Sequence, residues 1–374
     1  MLIKHEIVSA TGHHRRCGAA ILAALAVLLA ACGGSGSMPA PAGAPGAVSV
    51  PGGAAPATAG AAAAAPTATA RSTPLKMVVS WSQPGGGQMG VWLPYEAGLF
   101  AEQGLDVELT HVSNTSRIIQ AIVAGEIHMA PLDPAASVQA DLGGADVALY
   151  FSALNRMVYS VMTQPSITSP QELRGKTIGI TRIGSSTHSA LLLALDRWGL
   201  EPDRDVALRQ LGEVTAVLVG LQARQVDAAV ISPPRSAIAR REGFRELVDL
   251  GLDGPEYPSL AIGGSRAWVA ANDEAMRRFA RAYLRGIQRF KQDKATSLEV
   301  FRKYLDTDEP ALLDDMYERF SQMFNYPPYI SESGMARLLA ELAADDPRLA
   351  GRQPSEWVDA RYVRELEASG FAGS

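Results

Sequence analysis

The chain has 374 residues, a formal net charge of -5 and only two cysteines, Cys17 and Cys32. This mildly acidic balance offers no basic footprint, so we expect no nucleic-acid partner. Both cysteines precede the region that can fold, so we expect a domain without a disulfide, a thiol nucleophile or a thiolate ligand. No apolar run after Cys32 approaches the ~18 residues of a membrane span, which predicts a soluble domain.

Residues 1–31 have the pattern of an export signal. His13 to Arg16 supply a potentially positive start, and the uncharged apolar run Cys17–Ala31 is short for a membrane span. The run ends in Leu-Ala-Ala-Cys and resembles a bacterial lipobox, which implies cleavage before Cys32 and lipidation of its sulfur. An ordinary signal peptide cut nearby, with Cys32 incidental, is the alternative. The unbasic residues 1–12 also leave open a start codon placed too early.

Residues 32–73 predict a flexible tether. Ala, Gly, Pro, Thr and Ser dominate this segment, which therefore buries too little apolar surface to offset the entropy of ordering. A lipidated cysteine followed by such a linker holds a domain close to a membrane while leaving it free to move. We therefore expect a protein of the periplasm or cell envelope, anchored to a membrane by lipid.

The first part of the folded region alternates between strand and helix patterns. Strands are predicted at 75–81, 106–112, 127–133, 146–154 and 157–164. Helices are predicted at 89–105, 116–127 and 135–144. This alternation is typical of an α/β fold with a mostly parallel sheet.

A second α/β unit follows, and the two units meet near residues 163–170. Its predicted elements are a short helix and strand at 171–180, helices at 187–200, 213–222 and 235–244, and strands at 206–211, 226–234 and 245–250. Residues 259–272 are predicted to be extended. Helices at 273–293, 309–324 and 331–346 then form a tail that we expect to buttress two lobes, with Asp314-Asp315 and Asp345-Asp346 on its solvated surface.

Polar residues follow nearly every predicted strand. Ligands of open α/β sheets bind outside the carboxyl ends of the strands, so these residues are the candidate ligand-binding set. The candidates are Ser82, Gln83, Asn114, Thr115, Asp133, Ser185, Ser186, Thr187, Ser232 and Arg235.

The junction at Ser185, Ser186 and Thr187 predicts an anion site. A helix amino terminus presents free N–H groups, and three hydroxyls exceed what one helix cap needs. Arg235 is the preferred charge partner among the nearby arginines. Asp133 instead favours a cationic or amine-bearing group, so a zwitterionic or aromatic ligand stays open.

The sequence gives little support to catalysis. His111, His128 and His188 are the only histidines of the predicted domain. They are too scattered for a zinc site, and His188 near Ser185 has no nucleophile elbow around it. We expect no enzyme activity, no metal and no cofactor. Trp81 and Trp92 either line the cleft or belong to the core.

Four segments resemble one known family. They are Tyr95–Leu109, Ile119–Ala130, Glu172–Leu195 and Leu218–Pro234. Together they are similar to periplasmic substrate-binding proteins of the nitrate/sulfonate/taurine type, which are related to thiamine-precursor synthesis proteins. The resemblance implies a bilobed periplasmic-binding-protein type II fold, with two α/β lobes joined by crossover strands and a helical C-terminal tail.

The resemblance also implies domain limits and a function. The first part of lobe 1 would span residues 74–160, and lobe 2 would span residues 161–262. The chain would then return to lobe 1 and form the tail over residues 263–374. The lobes would close over a small organic, anionic ligand about segments Ala153–Thr163 and Ile262–Val269. A monomer would then deliver a sulfonate, nitrate, carboxylate or aromatic acid to the permease and ATPase of an ABC importer.

Two other functions stay open. The same cleft would serve an extracytoplasmic sensor that passes its signal to a membrane partner, although a lipid tether favours transport. An enzyme of the thiamine-precursor type would need reactive His or Cys residues in the cleft, and a lipobox argues against it.

Overall fold

The computed structural model of the chain describes residues 73–113 and 115–371. The predicted signal, Cys32, nearly all of the tether and Asn114 lie outside the described residues. Within the described part, no helix is both long and apolar enough to cross a bilayer.

The described residues contain two α/β sheets and a largely helical tail. The strands are β1 (Leu75–Trp81), β2 (Leu105–His111), β3 (Ala130–Leu132), β4 (Ala148–Leu154), β5 (Ser160–Thr163), β6 (Thr177–Ile180), β7 (Ala207–Gln210), β8 (Ala228–Ile231), β9 (Arg245–Asp249) and β10 (Leu260–Gly264). The helices that accompany the sheets are α1 (Met89–Glu96), α2 (Leu99–Glu102), α3 (Thr115–Val123), α4 (Pro134–Leu142), α5 (Ser186–Trp198), α6 (Val214–Gln222), α7 (Arg235–Arg241), α8 (Leu250–Asp253) and α9 (Arg266–Ala271). The tail helices are α10 (Asp273–Gln292), α11 (Lys294–Leu305), α12 (Pro310–Met323), α13 (Glu332–Asp345) and α14 (Arg361–Ala368).

The sheet of lobe 1 has the order β2-β1-β3-β10-β4. Strands β1 and β2 pair in parallel along their whole length. A parallel bridge between Val79 and Met129 joins β1 to β3, and β10 runs antiparallel between β3 and β4. The mostly parallel sheet predicted from the alternating pattern is therefore present, with one returning strand inserted in it.

The sheet of lobe 2 repeats this arrangement with the order β7-β6-β8-β5-β9. Strands β6, β7 and β8 pair in parallel, and β5 runs antiparallel between β8 and β9. Both sheets therefore have the same order. It is the second, first and third strand of the lobe, then an antiparallel strand (β10 in lobe 1, β5 in lobe 2), then the fourth strand. The carboxyl ends of the first and third strands therefore lie next to each other in both lobes.

Two segments cross between the lobes. Residues 155–159 join β4 to β5, which agrees with the predicted segment Ala153–Thr163. Residues 250–259 join β9 to β10. The predicted second crossing, Ile262–Val269, is wrong because Ile262 already pairs with Pro131 and Phe151 in the sheet of lobe 1.

The helix predictions need three further corrections. The helix expected over 89–105 is two helices, because Gly98 adopts a left-handed conformation (φ 71°) that separates α1 from α2. The extended segment expected over 259–272 ends at Gly264, where Ser265 caps α9 by accepting a hydrogen bond from the Trp268 amide. Helices α11 and α14 were not predicted.

The tail packs against both lobes. Helices α10, α11 and α12 bury Phe279, Phe301 and Met316 in the core that contains β1 and α1. Helix α13 buries Met335 and Leu338 in a second core with β6, α5 and α4. The tail is thus part of both cores, beyond the buttress that its amphipathic pattern predicted.

Candidate ligand-binding site

The two lobes meet where β3 and β6 end. Asp133 follows β3 in lobe 1, and Ser186 opens α5 shortly after β6 in lobe 2. The Ser186 hydroxyl is close enough to Asp133 to act on the pKa of its carboxyl group. The structure therefore brings together two of the residues predicted from the sequence, one from each lobe.

Asp133 is a helix cap in an unfavourable place for a charge. Its Oδ1 accepts a hydrogen bond from the Ala136 amide at 3.0 Å, which caps α4. Burial raises the pKa of the Asp133 carboxyl, and the amides of Ala135 and Ala136 and the Ser186 hydroxyl only partly oppose that rise. No basic side chain forms an ion pair with Asp133 among the described residues. This carboxyl group is therefore an acceptor that lacks a counter-charge.

Tyr159 joins this pair from the first crossing segment. Burial raises the pKa of its hydroxyl to about 12, while Ser186 lowers it and Asp133 raises it. Ser186 therefore lies beside both Asp133 and Tyr159. Sequence reasoning missed Tyr159 because it lies in an apolar run that predicts a strand, where a tyrosine is an ordinary core residue.

The hydroxyl groups of Ser185 and Thr187, unlike that of Ser186, form hydrogen bonds within their own turn. The Ser185 hydroxyl donates to the Arg182 carbonyl at 2.7 Å and lies 2.9 Å from the Thr187 hydroxyl. Thr187 is buried, and its Oγ1 accepts a hydrogen bond from the Thr181 amide at 3.0 Å. The three predicted hydroxyls therefore do not converge on one group: two of them fix the turn, and Ser186 remains for the cleft.

A second acidic residue reaches the same region from the tail. The Ser189 hydroxyl donates to Glu341 Oε1 on α13 at 2.6 Å. Burial raises the pKa of Tyr257, and Glu341 raises it further. Glu341 also adds to the raised pKa of Asp133. Sequence reasoning missed Glu341, although its position three residues after buried Leu338 places it at the edge of the apolar face.

The loop after β1 contains a buried polar pair. Ser82 and Gln88 are only 9% and 5% exposed, and Gln88 Nε2 donates to Ser82 Oγ at 3.3 Å. Among the described residues, the buried Gln88 amide oxygen has no hydrogen-bond partner. Predicted residue Gln83 is exposed in the same loop. The sequence pointed to this loop, but its buried glutamine is Gln88, five residues later.

Three of the other predicted residues have contacts of their own or begin a helix. Arg235 donates from Nε to the Thr215 hydroxyl at 3.0 Å, so it joins the starts of α7 and α6. The Ser232 carbonyl accepts the Arg235 amide at 3.0 Å. Thr115 is the first residue of α3. No bond of these residues reaches Asp133 in the described part, and their role in a ligand site stays a prediction.

The aromatic candidates belong mostly to the core. Trp92 is fully buried and stacks on Tyr304, with ring centroids 4.4 Å apart. Trp81 is half-buried and stacks on His111 at 4.1 Å. Trp92 therefore belongs to the core, whereas half-buried Trp81 lies against the exposed ring of His111.

The histidines have structural partners. His128 Nδ1 accepts from the Val78 amide at 2.9 Å, and His188 Nδ1 accepts from the Gly184 amide at 3.2 Å. Burial lowers the pKa of both rings, which favours the neutral acceptor form. Across the described residues, no group of three or more His, Cys, Asp and Glu side chains could hold a metal ion.

Comparison with known proteins places this arrangement in a family. The NMT1/THI5-like family profile matches residues 88–296. A formylaminopyrimidine-binding protein of Halalkalibacterium halodurans is 26% identical over 237 residues, which cover 61% of this chain and 70% of the relative. A taurine-binding periplasmic protein of Escherichia coli is 28% identical over 147 residues, which cover 38% of this chain and less than half, 44%, of the relative.

The fold has close counterparts among solved structures. The periplasmic aliphatic sulphonate-binding protein SsuA from Escherichia coli superposes with a TM-score of 0.62 at 18% identity, over 75% of this chain and 95% of that one. This likeness confirms the predicted bilobed periplasmic-binding-protein fold. The named relatives are binding proteins, in line with the expectation of a protein that is not an enzyme. Fold, strand order and the matched segment together establish that the chain belongs to the NMT1/THI5-like family.

Proposed function

We propose that this protein is the solute-binding component of an ABC importer. It captures a small organic molecule between its two lobes and delivers it to the permease. The observation that carries this proposal is the meeting of Asp133, after the third strand of lobe 1, with Ser186, after the first strand of lobe 2, with Tyr159 of the first crossing beside them. The binding functions of the named relatives support the same class of protein.

The chemistry of the contact between the lobes, at Asp133 and Ser186, favours a ligand with both hydrogen-bond donors and acceptors. Asp133 and Glu341 present carboxylates without an ion pair among the described residues, so an amine or a ring N–H of the ligand would satisfy them. Ser186 and the first amides of α5 present donors, which suit a carbonyl or an anionic group. A purely anionic ligand, as expected from the hydroxyl cluster alone, would leave Asp133 facing a like charge.

Two of the named relatives bind molecules that fit this description. Taurine carries an ammonium group and a sulfonate group, and a formylaminopyrimidine carries amino and carbonyl groups on a planar ring. We therefore propose an amine-bearing ligand, either zwitterionic or heteroaromatic. Among anionic head groups, only those on a molecule that also carries a donor would be accepted.

A ligand screen tests this proposal. Differential scanning fluorimetry of the purified protein with taurine, alkanesulfonates, nitrate, aromatic acids and aminopyrimidines should show stabilisation by an amine-bearing compound. At a concentration of 100 Kd, the expected stabilisation is about 2.7 kcal/mol. Stabilisation by nitrate and simple sulfonates alone would contradict the proposed ligand class, and no stabilisation by any compound would count against the binding function.

The proposed location is the periplasmic side of a membrane, with Cys32 lipidated. The apolar run before Cys32 and the tether after it support this part of the proposal. Fractionation of cells that express the wild type and the Cys32→Ser variant tests it. The wild type should sediment with membranes and the variant should be released, whereas identical fractionation would rule out the lipid anchor.

A further inference from the structure

Helix α12 of the tail contacts both the hinge and the loop after β1. Its apolar side packs into the core of lobe 1 through Leu313, Met316 and Phe320. Its other contacts reach lobe 2 and the second crossing segment. We define residues 82–88 as the β1 loop. We use the name hinge strand for residues 245–259, which comprise β9 and the second crossing segment with α8.

Arg319 joins α12 to the hinge strand. It donates from Nη2 to Glu246 Oε2 at 2.8 Å and forms an ion pair with Asp249, the last residue of β9. Arg240 of α7 donates to the same Glu246 at 2.9 Å and to Asp315 of α12 at 2.6 Å. The Arg319 and Asp249 side chains are only 14% and 7% exposed. Water therefore screens this network weakly, and Asp315 does not lie on the solvated surface that the sequence predicted.

The end of α12 and the residues just after it contact the second crossing segment and the end of β4. Met323 packs so closely on Gly251 that a Cβ there would lie 2.7 Å from the methionine sulfur. Two residues later, the Asn325 amide donates to the Ala153 carbonyl at 2.8 Å. The same helix end is thus fixed to the start of the second crossing and to the end of β4, where the first crossing begins.

Phe320 joins α12 to the β1 loop. A Cβ at Gly86 would overlap the Phe320 ring, which is only 2% exposed. Gly86 lies between Ser82 and Gln88, the buried polar pair of this loop. Glycine at position 86 therefore lets the loop pack against an aromatic ring of the tail.

We propose that α12 couples the hinge to the candidate ligand-binding site, with Arg319 fixing the hinge strand and Phe320 positioning the β1 loop. Both are positioning residues that act through their neighbours. Movement at the hinge strand shifts Arg319, and the next residue along the helix carries that shift to Gly86. The inference rests on the proposed function only for the role of the β1 loop, because the coupling itself needs no ligand.

Hydrogen exchange of the full chain without ligand tests the coupling. In the Arg319→Met variant, amides of the hinge strand and of residues 82–92 should both exchange roughly tenfold faster or more, because the two regions lose a common support. Arg277→Met is the matched control, since Arg277 is also a tail arginine in ion pairs, but its partners are Asp273 and Glu365 of the tail. This control should leave residues 82–92 within about twofold of the wild type. Faster exchange confined to the hinge strand in Arg319→Met would overturn the proposal.

A pair of substitutions tests the loop contact directly. Gly86→Ala should speed exchange at residues 82–92 by roughly tenfold, because its methyl group overlaps the Phe320 ring. The same substitution in a Phe320→Ala background should have a much smaller effect, since the ring is gone. If Phe320→Ala does not fold, Phe320→Leu provides the background. An equal effect of Gly86→Ala in both backgrounds would refute the positioning role of Phe320. Ligand binding is not measured, so failure here is distinct from failure of the proposed function.

Discussion

The two lobes share one strand order but present opposite chemistry at the cleft. In lobe 1 the third strand ends at Asp133, a carboxyl group whose pKa is raised by burial. In lobe 2 the first strand is followed by hydroxyl groups, of which Ser185 and Thr187 bond to their own turn and Ser186 faces lobe 1. The repeat of a fold thus does not repeat the side chains at its strand ends, because one half carries a carboxyl group there and the other carries hydroxyl groups.

The largest expected effect comes from removing the acceptor charge of lobe 1. Asp133→Asn should weaken binding of the best amine-bearing compound by about 2–3 kcal/mol, the range for a lost hydrogen bond to a charged group. Asn is an equally good helix cap, so α4 should remain intact. Calorimetry of the wild type and the variant measures the change, with Glu102→Gln as an exposed control in the same lobe. Equal affinities for wild type and Asp133→Asn would exclude Asp133 from the site.

A smaller effect should separate two neighbouring serines of lobe 2. Ser186→Ala should lower ligand affinity by about 1 kcal/mol, whereas Ser185→Ala should leave affinity unchanged and lower the free energy of unfolding by about 1 kcal/mol. The reason is that Ser185 bonds within its own turn and Ser186 does not. Calorimetry and chemical denaturation of both variants measure the two quantities. If Ser185→Ala lowers the ligand affinity and Ser186→Ala does not, the hydroxyl groups of the turn face the ligand.

The raised pKa of Asp133 predicts how stability changes with pH. The native state favours the protonated carboxyl, so its contribution is complete below the unfolded pKa of about 3.9 and is lost as pH rises through the folded pKa. The unfolding free energy of Asp133→Asn relative to wild type should therefore increase as pH rises above about 4. Each unit of pKa difference corresponds to about 1.4 kcal/mol. Thermal unfolding over a pH series measures this difference. If the unfolding free energy of the variant minus that of the wild type decreases as pH rises, the raised pKa of Asp133 is contradicted.

The smallest effect is expected at His188. Its Nδ1 accepts a hydrogen bond from Gly184, and nothing in the described structure directs the ring at Asp133. His188→Gln keeps an acceptor and should change ligand affinity by less than about 0.5 kcal/mol. Calorimetry checks this value, and a loss comparable to that of Asp133→Asn would move the ligand toward the first turn of α5.

The sequence predicted the parts of the fold that local patterns determine. The alternation of strands and helices from Leu75 to Asp249 and the loops after β3 and β6 were correctly located. The second crossing was misplaced because Leu260–Gly264 has the same apolar pattern as a linking strand, and only its pairing with β3 and β4 assigns it to lobe 1. Local periodicity does not contain that long-range information.

The site was less predictable than the fold, for physical reasons. Strand-end logic identified Asp133 and Ser186, but it could not distinguish Ser186 from Ser185, whose hydrogen bonds depend on the exact turn geometry. Glu341 lies near Asp133 and Ser189 only because α13 packs against both α4 and α5. Its sequence neighbourhood is that of any amphipathic helix, so no local signal connects it to residues some 150–200 positions earlier in the chain.

The most direct test of the central claim is calorimetric titration of the full chain and of the Asp133→Asn/Ser186→Ala double variant. The titrant is the amine-bearing compound that gives the strongest stabilisation in the screen. The account predicts saturable one-to-one binding to the wild type and an affinity loss of at least about 2–3 kcal/mol in the double variant, the loss expected from the acceptor contact alone, because the effects of two residues in contact do not simply add. Binding of undiminished affinity in a double variant that still folds would contradict a ligand site between these two residues.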